Sequence, residues 1–362
     1  MARQGEIGAM SAGAAGRAKS EPRVRARAPL RLGLAGGGTD VSPYADLHGG
    51  AVMNVTIDRY IYASIDPAPA GEVVLESQDL GLAVRYPAVA PLPLDGRLDL
   101  LKAAYNRIMR DFLDGRTVPL RLATYSEAPP GSGLGSSSTL VVAVVQALAE
   151  RFSLPLGEYD IARLAYVIER QDLGLAGGRQ DQYAATFGGF NFMEFRADDA
   201  VIVNPLRIKP WIASELEART LLCFTGVSRE SAAIIAEQAR NVAQGASRSV
   251  EAMHRLKAAA VAMKEALLTG DLDALAATLR EGWQSKREMA QGIATSTIDQ
   301  AIETAMAAGA IGGKVSGAGG GGFIMFLVPL ERRRAVTEAL AARGHRVEGV
   351  RFTAEGATAW RI

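Results

Sequence analysis

The chain has 362 residues, a formal net charge of +1 at pH 7 and a hydrophobic fraction of 48%. This length allows two domains with separate cores, and the near-zero net charge argues against non-specific nucleic-acid binding as the main task. Its apolar stretches are too short to span a membrane, and the single cysteine excludes an internal disulfide, which suits a reducing, cytoplasmic setting.

Strand patterns dominate the first part of the chain. Residues 1–22 are rich in Ala, Gly, Ser, Arg and Lys without apolar periodicity. We expect a disordered tail there, since the apolar middle of a secretory signal is missing. Beyond it, apolar and β-branched patterns predict a helix over 98–112 and strands over 23–28, 31–35, 51–65, 73–75, 82–84 and 118–125.

Helical patterns follow in the second half. We predict helices over 139–152 and 160–172, then strands over 190–195, 200–203 and 221–225. Further helices are predicted over 231–244, 249–268, 272–289 and 298–308. A glycine-rich segment precedes a strand, a helix and two strands over 322–328, 330–343, 346–352 and 358–362. This order predicts an α+β protein with an N-terminal domain over 23–205 and a C-terminal domain over 206–362.

The most informative segment is a glycine- and serine-rich loop at the start of the helix over 139–152. We call it the phosphate loop, and it contains Pro130, Gly131, Ser132, Gly133, Leu134, Gly135, Ser136, Ser137 and Ser138. Glycines let the backbone approach a ligand closely, and the free N–H groups of a helix N-terminus favour phosphate. The hydroxyls can reach phosphate oxygens or Mg²⁺. These features indicate a nucleoside triphosphate site.

A flexible loop with an ordinary serine N-cap is the plainer alternative. Familiar phosphate-binding patterns fit poorly. Lys314 lacks the following hydroxyl of a Walker loop, the glycine spacing differs from that of a dinucleotide loop, and the protein-kinase tripeptides are missing. Two more glycine blocks, 36–40 and 314–322, are flanked by apolar elements. Such blocks are typical of backbone that approaches a ligand, so the three could converge on one site.

The three blocks resemble, in order, the motifs of the GHMP kinase superfamily, which includes galactokinase, homoserine kinase, mevalonate kinase and phosphomevalonate kinase. They read Ala-Gly-Gly-Gly-Thr-Asp-Val-Ser-Pro-Tyr, Pro-Pro-Gly-Ser-Gly-Leu-Gly-Ser-Ser-Ser and Lys-Val-Ser-Gly-Ala-Gly-Gly-Gly-Gly-Phe. The likeness runs from about residue 23 to the C terminus. The first block, with Gly-Gly-Arg-Gln-Asp-Gln-Tyr-Ala-Ala-Thr-Phe-Gly-Gly-Phe, looks like the sugar 1-kinases that act on D-glycero-D-manno-heptose 7-phosphate. Galactokinase-like members carry Gly-Glu-His-Thr-Asp instead.

The resemblance implies a fold and a reaction. The fold is α+β, with an N-terminal domain like domain 2 of ribosomal protein S5, a ferredoxin-like C-terminal domain and the active site between them. The implied reaction is Mg²⁺-dependent transfer of a phosphoryl group from ATP to the anomeric hydroxyl of the heptose 7-phosphate. The 1,7-bisphosphate would serve nucleotide-heptose and surface-polysaccharide synthesis.

The resemblance also implies roles for residues at matching motif positions. Asp181 matches the catalytic base, and Arg31 matches the basic residue beside it, which would keep that carboxylate charged. Glu169 matches the helix carboxylate that ligates Mg²⁺ together with a motif-two serine, here Ser137 or Ser138. The implied substrate-binding residues are Gly38, Thr39, Asp40, Gly317 and Gly319, of which Asp40 would hydrogen-bond sugar hydroxyls.

The pattern defines the remaining candidates less sharply. A sugar 7-phosphate needs cations at the far end of its pocket, and the candidates are Arg179, Arg229 and Lys286. Asp172 is an alternative Mg²⁺ ligand, and Lys314 is a candidate phosphate contact. The three histidines lack metal-ligand spacing, so we expect them to be structural or on the surface.

The sequence leaves alternative functions open. Another sugar, such as fucose, is an alternative substrate, and the oligomeric state is a monomer or a homodimer. A non-catalytic sugar-sensing relative is disfavoured because Asp181, Glu169 and the serines are all present. An ATP-consuming decarboxylase of the same superfamily is disfavoured by the form of the first block.

Overall fold

The computed structural model describes residues 22–89, 91–226 and 231–362. Nearly all of the predicted tail, 1–22, lies outside them. The strands are β1 (Val24–Ala35), β2 (Gly50–Asp66), β3 (Glu72–Ser77), β4 (Leu82–Pro87), β5 (Leu120–Ser126), β6 (Phe190–Phe195), β7 (Val201–Pro205), β8 (Thr220–Phe224), β9 (Gly312–Val315), β10 (Phe323–Leu327), β11 (Arg346–Gly349) and β12 (Thr358–Arg361).

Helices cover much of the remaining described chain, and none of those described is long and apolar enough to cross a membrane. The helices are α1 (Tyr44–His48), α2 (Asp99–Phe112), α3 (Ser136–Phe152), α4 (Glu158–Val167), α5 (Gln180–Phe187), α6 (Pro210–Arg219), α7 (Ser231–Ala243), α8 (Ser247–Thr269), α9 (Leu272–Arg287), α10 (Ser296–Ala308) and α11 (Arg333–Ala341).

The larger sheet has eight strands in the order β12-β1-β2-β5-β3-β4, with β6 paired to β2 and β7 beyond it. The long strand β2 pairs with β6 through its first half and with β5 through its second half. α3 covers β1 and β2. Its apolar side chains at helical spacing, Val141, Val144, Val145 and Leu148, are fully buried, and each contributes about 1.5–3 kcal/mol of burial. This packing fixes the end of α3 that carries the serines.

The smaller sheet is antiparallel, with the order β11-β8-β10-β9. This is the strand order of a ferredoxin-like domain, which confirms the predicted two-domain α+β fold. Trp283 of α9 and Phe326 of β10 are among the largest side chains of its core. The helices after β8 pack around this core and reach the larger sheet, where α8 contacts β1 and β2.

Two features join the two sheets. β12, at the end of the chain, pairs with β1 in the larger sheet, so the C-terminal part of the chain contributes a strand to the N-terminal sheet. The division of the chain into two domains at residue 206 remains a prediction. Lys314 of β9 donates to Gly33 O at 2.8 Å and to Leu34 O at 3.3 Å at the end of β1. Burial, and then the charges of Lys286 and Arg31, lowers the pKa of Lys314 well below its usual value. This lysine therefore ties the end of β1, just before the first glycine block, to the smaller sheet.

The structure differs from the sequence prediction in short elements. α1, α5, α6 and β9 were not predicted, because four to ten residues give little periodic signal. The strands predicted over 23–28 and 31–35 form one strand, in which a register shift after Pro29 accommodates the missing N–H. The helix predicted over 160–172 changes at Ile168 into a π-helical turn, Ile168–Asp172. Such turns are common at functional sites.

Candidate active site

The phosphate loop connects β5 to α3 and is bent by glycines. Gly131, Gly133 and Gly135 have φ angles of 68°, 77° and 81°, which residues with a side chain adopt only with strain. α3 begins at Ser136, three residues earlier than predicted, so the serines form its first turn. Loop and helix start line a cavity of about 580 Å³. The positive end of the α3 dipole therefore favours an anion in this cavity.

The third glycine block packs directly against the phosphate loop. Phe323 N donates to Ser132 O, and Ser316 Oγ donates to Gly133 O, both at 2.9 Å. A Cβ added at Gly322 would lie 2.5 Å from Ser132 O, and one at Gly133 would lie 2.4 Å from Ser316 O. Main chain meets main chain here, so only glycine fits. The smaller sheet thereby shapes the phosphate loop.

Gly322→Ala is expected to raise the KM for the nucleotide at least about tenfold, because the new Cβ displaces the phosphate loop at Ser132. Gly245→Ala is the matched control, since its φ of +65° gives similar strain while an added Cβ meets no atom within 4 Å. Steady-state kinetics and thermal denaturation of both variants are the measurements. Equal KM values in the two variants would contradict a role of this contact in shaping the loop.

Arg31 and Asp181 meet beside the phosphate loop. Arg31 Nε and Nη2 both lie 2.7 Å from Asp181 Oδ1, and Arg31 Nη1 donates to Gly133 O at 2.7 Å. The side chain of Arg31 is 4% exposed, whereas that of Asp181 is 23% exposed and lines the 580 Å³ cavity. A Cβ at Gly135 would lie 3.4 Å from Asp181 Oδ2. A hydroxyl bound here can give its proton to Asp181 next to the phosphate-binding end of α3.

Asp40 is buried under the start of α5. Its Oδ1 accepts hydrogen bonds from Gly38 N at 3.1 Å and from Gln180 Nε2 at 3.0 Å, and its Oδ2 accepts one from Gln180 N at 3.1 Å. Asp40 is 1% exposed and borders a small cavity next to the larger one. Since Asp181 follows Gln180 in the first turn of α5, these bonds also fix the position of Asp181.

Glu169 lies in the π-helical turn and is fully buried. Its Oε1 accepts a hydrogen bond from Ser137 Oγ at 3.0 Å and lies 3.9 Å from Arg170 Nη1, while its Oε2 accepts from Gln182 Nε2. Because the Arg170 guanidinium is 3.9 Å away, the buried carboxylate of Glu169 favours a further cation bound next to it. Ser137 is exposed to the 580 Å³ cavity, whereas Ser138 is 1% exposed and accepts from Gln182 Nε2 at 3.0 Å.

Carboxylate and hydroxyl oxygens are the donors that Mg²⁺ prefers, so this pair fits the ion. Among residues 22–89, 91–226 and 231–362, no group of three or more His, Cys, Asp or Glu side chains could hold a metal. A Mg²⁺ ion at Glu169 and Ser137 would therefore take its other ligands from phosphate and water, as Mg²⁺ sites usually do.

Lys286 of α9 reaches the site from the C-terminal half. It is 5% exposed, its Nζ donates to Gly317 O, and it lines a cavity of about 60 Å³ beside Asp40 and Asp181. Burial, and then the charge of Arg31, lowers its pKa to about 8, and the two carboxylates partly oppose this shift. Lys286 therefore remains mostly protonated at neutral pH.

A second large cavity, of about 500 Å³, opens on the other side of the phosphate loop. It shares Pro130, Gly131, Ser136 and Ser137 with the first cavity. This cavity has no recognisable signature in the sequence, because its apolar wall comes from separate segments. That wall includes Leu80, Leu98, Leu101, Leu140 and Leu173. An apolar cavity adjoining a phosphate site suits the base of a nucleotide.

Several predicted residues lie away from these cavities. Arg179 is 2% exposed, and its guanidinium forms ion pairs with Asp46 at 2.7 Å and Asp199 at 3.5 Å. It lines neither the 580 Å³ nor the 60 Å³ cavity. We therefore no longer assign Arg179 to the substrate. Asp172 forms a bidentate ion pair with Arg107 and borders a different cavity, so it is not placed to replace Glu169 as a metal ligand.

Other predicted residues support the backbone. The hydroxyl of Thr39 lies 2.8 Å from Gly36 O and 2.9 Å from Ala51 O, which closes the first glycine block. Leu134 is fully buried, and its carbonyl accepts from Arg31 N. A Cβ at Gly319 would lie 2.8 Å from Ile293, so this glycine serves packing, whereas Gly38 and Gly317 do line the 60 Å³ cavity. Arg229 lies outside the described residues.

Two of the histidines meet where α1 packs on α8. Tyr44 Oη lies 2.8 Å from His254 Nδ1, and the rings of His48 and His254 are 4.9 Å apart. Burial, and then the charges of His48 and Lys257, lowers the pKa of His254, while Glu251 opposes this shift. Both imidazoles are exposed, so the pair lies at the surface of the contact between α1 and α8.

The free energy of unfolding is expected to fall as the pH drops below about 6.5, the pKa of an unfolded histidine. The folded state binds a proton at His254 less readily than the unfolded chain. The stabilising contribution is therefore fully present above the unfolded pKa and is lost as the pH falls through the lowered one. Thermal denaturation from pH 5 to 8 should show a shallower pH dependence in His254→Gln. Identical slopes in both proteins would rule out this contribution.

The fold and the site together define a two-domain phosphotransferase. Glycine-rich backbone and a helix start line its 580 Å³ cavity, and the carboxylate of Asp181 borders the same cavity. The chain belongs to the GHMP kinase family. The model of the GHMP kinases N terminal domain matches residues 99–189, and that of the GHMP kinases C terminal domain matches residues 263–346. The protein is an ATP-dependent sugar kinase that uses an alcohol group as acceptor.

Known relatives support this assignment. The chain is 48% identical over 339 residues to the D-glycero-α-D-manno-heptose 7-phosphate kinase of Campylobacter jejuni, which covers 94% of this chain and 99% of that protein. It is 28% identical to the bifunctional fucokinase/GDP-fucose pyrophosphorylase of Arabidopsis thaliana, over 84% of this chain and 30% of that protein. The crystal structure of a D-glycero-D-manno-heptose 1-phosphate kinase from Bacteroides thetaiotaomicron superposes with a TM-score of 0.80 and 44% identity, covering 94% and 99% of the two chains.

Proposed function

We propose that the protein transfers the γ-phosphoryl group of ATP to the anomeric hydroxyl of D-glycero-D-manno-heptose 7-phosphate and forms the 1,7-bisphosphate. The observation that carries this proposal is the Arg31–Asp181 pair, which stands between the phosphate loop and the small cavity. The choice of sugar is supported by the relative that is 48% identical over 94% of the chain and bears this activity in its name.

The nucleotide would lie across the phosphate loop. Its base fits the 500 Å³ apolar cavity, and its phosphates fit the start of α3, because the first N–H groups of a helix lack intrahelical partners. Glu169 and Ser137 would hold Mg²⁺. When bound, this ion neutralises charge on the phosphate oxygens. Ser138 would support Glu169 through Gln182 rather than bind the ion itself.

Asp181 would act as the base. As the anomeric oxygen attacks phosphorus, the O–P bond to the sugar forms, the bond from the γ-phosphorus to the bridging oxygen of ADP breaks, and the hydroxyl proton moves to Asp181. Arg31 orients the carboxylate through Oδ1 and leaves Oδ2 toward the cavity. Asp40 holds Gln180 and thereby the start of α5, and it has lone pairs left for a sugar hydroxyl.

The test is ADP release with Mg²⁺-ATP against heptose 7-phosphate, free heptose, fucose, galactose and mevalonate in parallel. Turnover restricted to the phosphorylated heptose, with a 1,7-bisphosphate identified by phosphorus NMR, is the expected result. Preference for fucose would replace the proposed substrate and retain the kinase. Nucleotide binding without turnover on any sugar would favour a sensing role.

The biological setting follows from the substrates. The reaction consumes ATP, and the single cysteine, Cys223, is buried and unpaired, so we place the enzyme in the cytoplasm. A sugar 1-phosphate is the form that a nucleotidyltransferase activates. We therefore propose that the product supplies nucleotide-heptose for surface polysaccharide.

A further inference from the structure

Lys286 is a cation with unused hydrogen-bonding capacity, and it lines the 60 Å³ cavity that Asp181 borders. Its Nζ donates to Gly317 O, and within the described part of the chain it forms no ion pair with a carboxylate. An ammonium group carries three donors, so two of them remain. Asp181 is already paired with Arg31. A buried charge without a partner is costly, which suggests that a ligand completes this environment.

Gln238 offers a second unused donor in the same place. It lies on α7, is 4% exposed and lines the 60 Å³ cavity together with Lys286. Its Nε2 atom finds no hydrogen-bond partner among the residues that the structure describes. Buried amide groups are normally satisfied, so this one also lacks an acceptor that a ligand can supply.

The small cavity lies on the far side of Asp181 from the phosphate loop. It shares Arg31, Gly178, Asp181, Ile235, Gly317 and Ala318 with the 580 Å³ cavity. Of these two cavities, Lys286 and Gln238 line only the small one. The phosphate-loop residues Ser132, Gly133, Gly135, Ser136, Ser137 and Ser138 line the larger one and not the small one. A sugar that lies in the small cavity with its hydroxyl at Asp181 therefore points its remaining groups toward Lys286 and Gln238.

We propose that Lys286 and Gln238 form the subsite for the phosphate group of the acceptor, and that they select phosphorylated over unphosphorylated sugar. This inference rests on the proposed function, because it concerns the acceptor of that reaction. A lysine ammonium and an amide N–H are donors that phosphate oxygens accept, and lysine is a common phosphate ligand. Asp40 accepts from Gly38 and Gln180 and, within the described chain, from neither Lys286 nor Gln238.

The test compares two ligands in three variants without relying on turnover. The dissociation constant of heptose 7-phosphate is measured by calorimetry, and that of free heptose by competition. Lys286→Met is expected to raise the dissociation constant of heptose 7-phosphate at least about tenfold, the size expected for loss of a charge-assisted hydrogen bond. The dissociation constant of free heptose should change little. Gln238→Glu should have the same selective effect through repulsion. Lys209→Met, which removes an exposed cation outside these cavities, is the control.

A pH series gives a second readout. Because the pKa of Lys286 is about 8, binding of heptose 7-phosphate should weaken as the pH rises through that value, while free heptose should not respond. The substrate phosphate is already a dianion there, since its second pKa is about 6. Lys286→Arg should bind with little change up to pH 9, because arginine stays charged.

The outcomes separate this inference from the proposed function. Equal weakening of both sugars in Lys286→Met would overturn the inference and make Lys286 a positioning residue. Equal binding of both sugars by the unchanged protein would also overturn it. Failure of the proposed function would appear elsewhere, as absence of 1,7-bisphosphate in the turnover assay.

Discussion

Asp181→Asn is expected to lower kcat roughly 10²–10⁴-fold, the usual contribution of a general base, while the KM for ATP stays close to that of the unchanged protein. The amide keeps an oxygen in the place of Oδ1, which accepts from Arg31 at 2.7 Å, but it cannot take the proton of the sugar hydroxyl. The phosphate loop contacts Arg31 and the smaller sheet, so nucleotide binding should persist.

Stability must be measured beside the rate. Arg31 is only 4% exposed and loses its counter-charge in Asp181→Asn, and an unpaired buried cation destabilises the fold. Thermal denaturation with and without ATP separates a folded but inactive enzyme from an unfolded one. Asp273→Asn removes an exposed carboxylate in the first turn of α9 and serves as the control. Full turnover in a folded Asp181→Asn protein would exclude Asp181 as the base.

Much of the fold could be predicted from periodic patterns. The buried stripe of α3 and the long, mostly apolar run of β2 extend over enough residues to identify an element from sequence alone. The glycine blocks were also informative, because positive φ angles and main-chain contacts leave no room for a side chain at Gly133 and Gly322. The sequence allowed the three blocks to converge, and in the structure they line two adjoining cavities.

The remaining features depend on contacts between distant residues. Arg179 and Lys286 were both candidates in the sequence, yet Arg179 is paired with Asp46 while Lys286 borders the 60 Å³ cavity. No local pattern distinguishes them, because the shorter of the two ion pairs of Arg179 is made with Asp46, which lies 133 residues away. Gln238 was missed for the same reason, since an amide on an amphipathic helix is normally solvated. Burial and partner identity are tertiary properties.

The second large effect is expected at the proposed metal site. Glu169→Gln should raise the Mg²⁺ concentration needed for half-maximal activity by about 10–100-fold or more, since loss of a supporting ligand alone has that effect on metal affinity. The carboxylate is fully buried and adjoins Ser137 Oγ at 3.0 Å. Loss of its charge removes the strongest attraction for a cation in that part of the site. The Mg²⁺ dependence of fluorescent-nucleotide binding provides a readout that does not require turnover.

Glu169→Gln should fold, because the surrounding hydrogen bonds can be rearranged. Gln182 Oε1 makes no hydrogen bond within the described chain, so rotation of that amide would present an acceptor to the new NH₂ group. Ser137→Ala and Ser138→Ala form a matched pair for the same question. Ser137→Ala, which removes an exposed hydroxyl, should raise the Mg²⁺ requirement. Ser138→Ala, which removes a buried hydroxyl bonded to Gln182, should mainly lower the thermal stability. An unchanged Mg²⁺ requirement in both Glu169→Gln and Ser137→Ala would place the ion elsewhere.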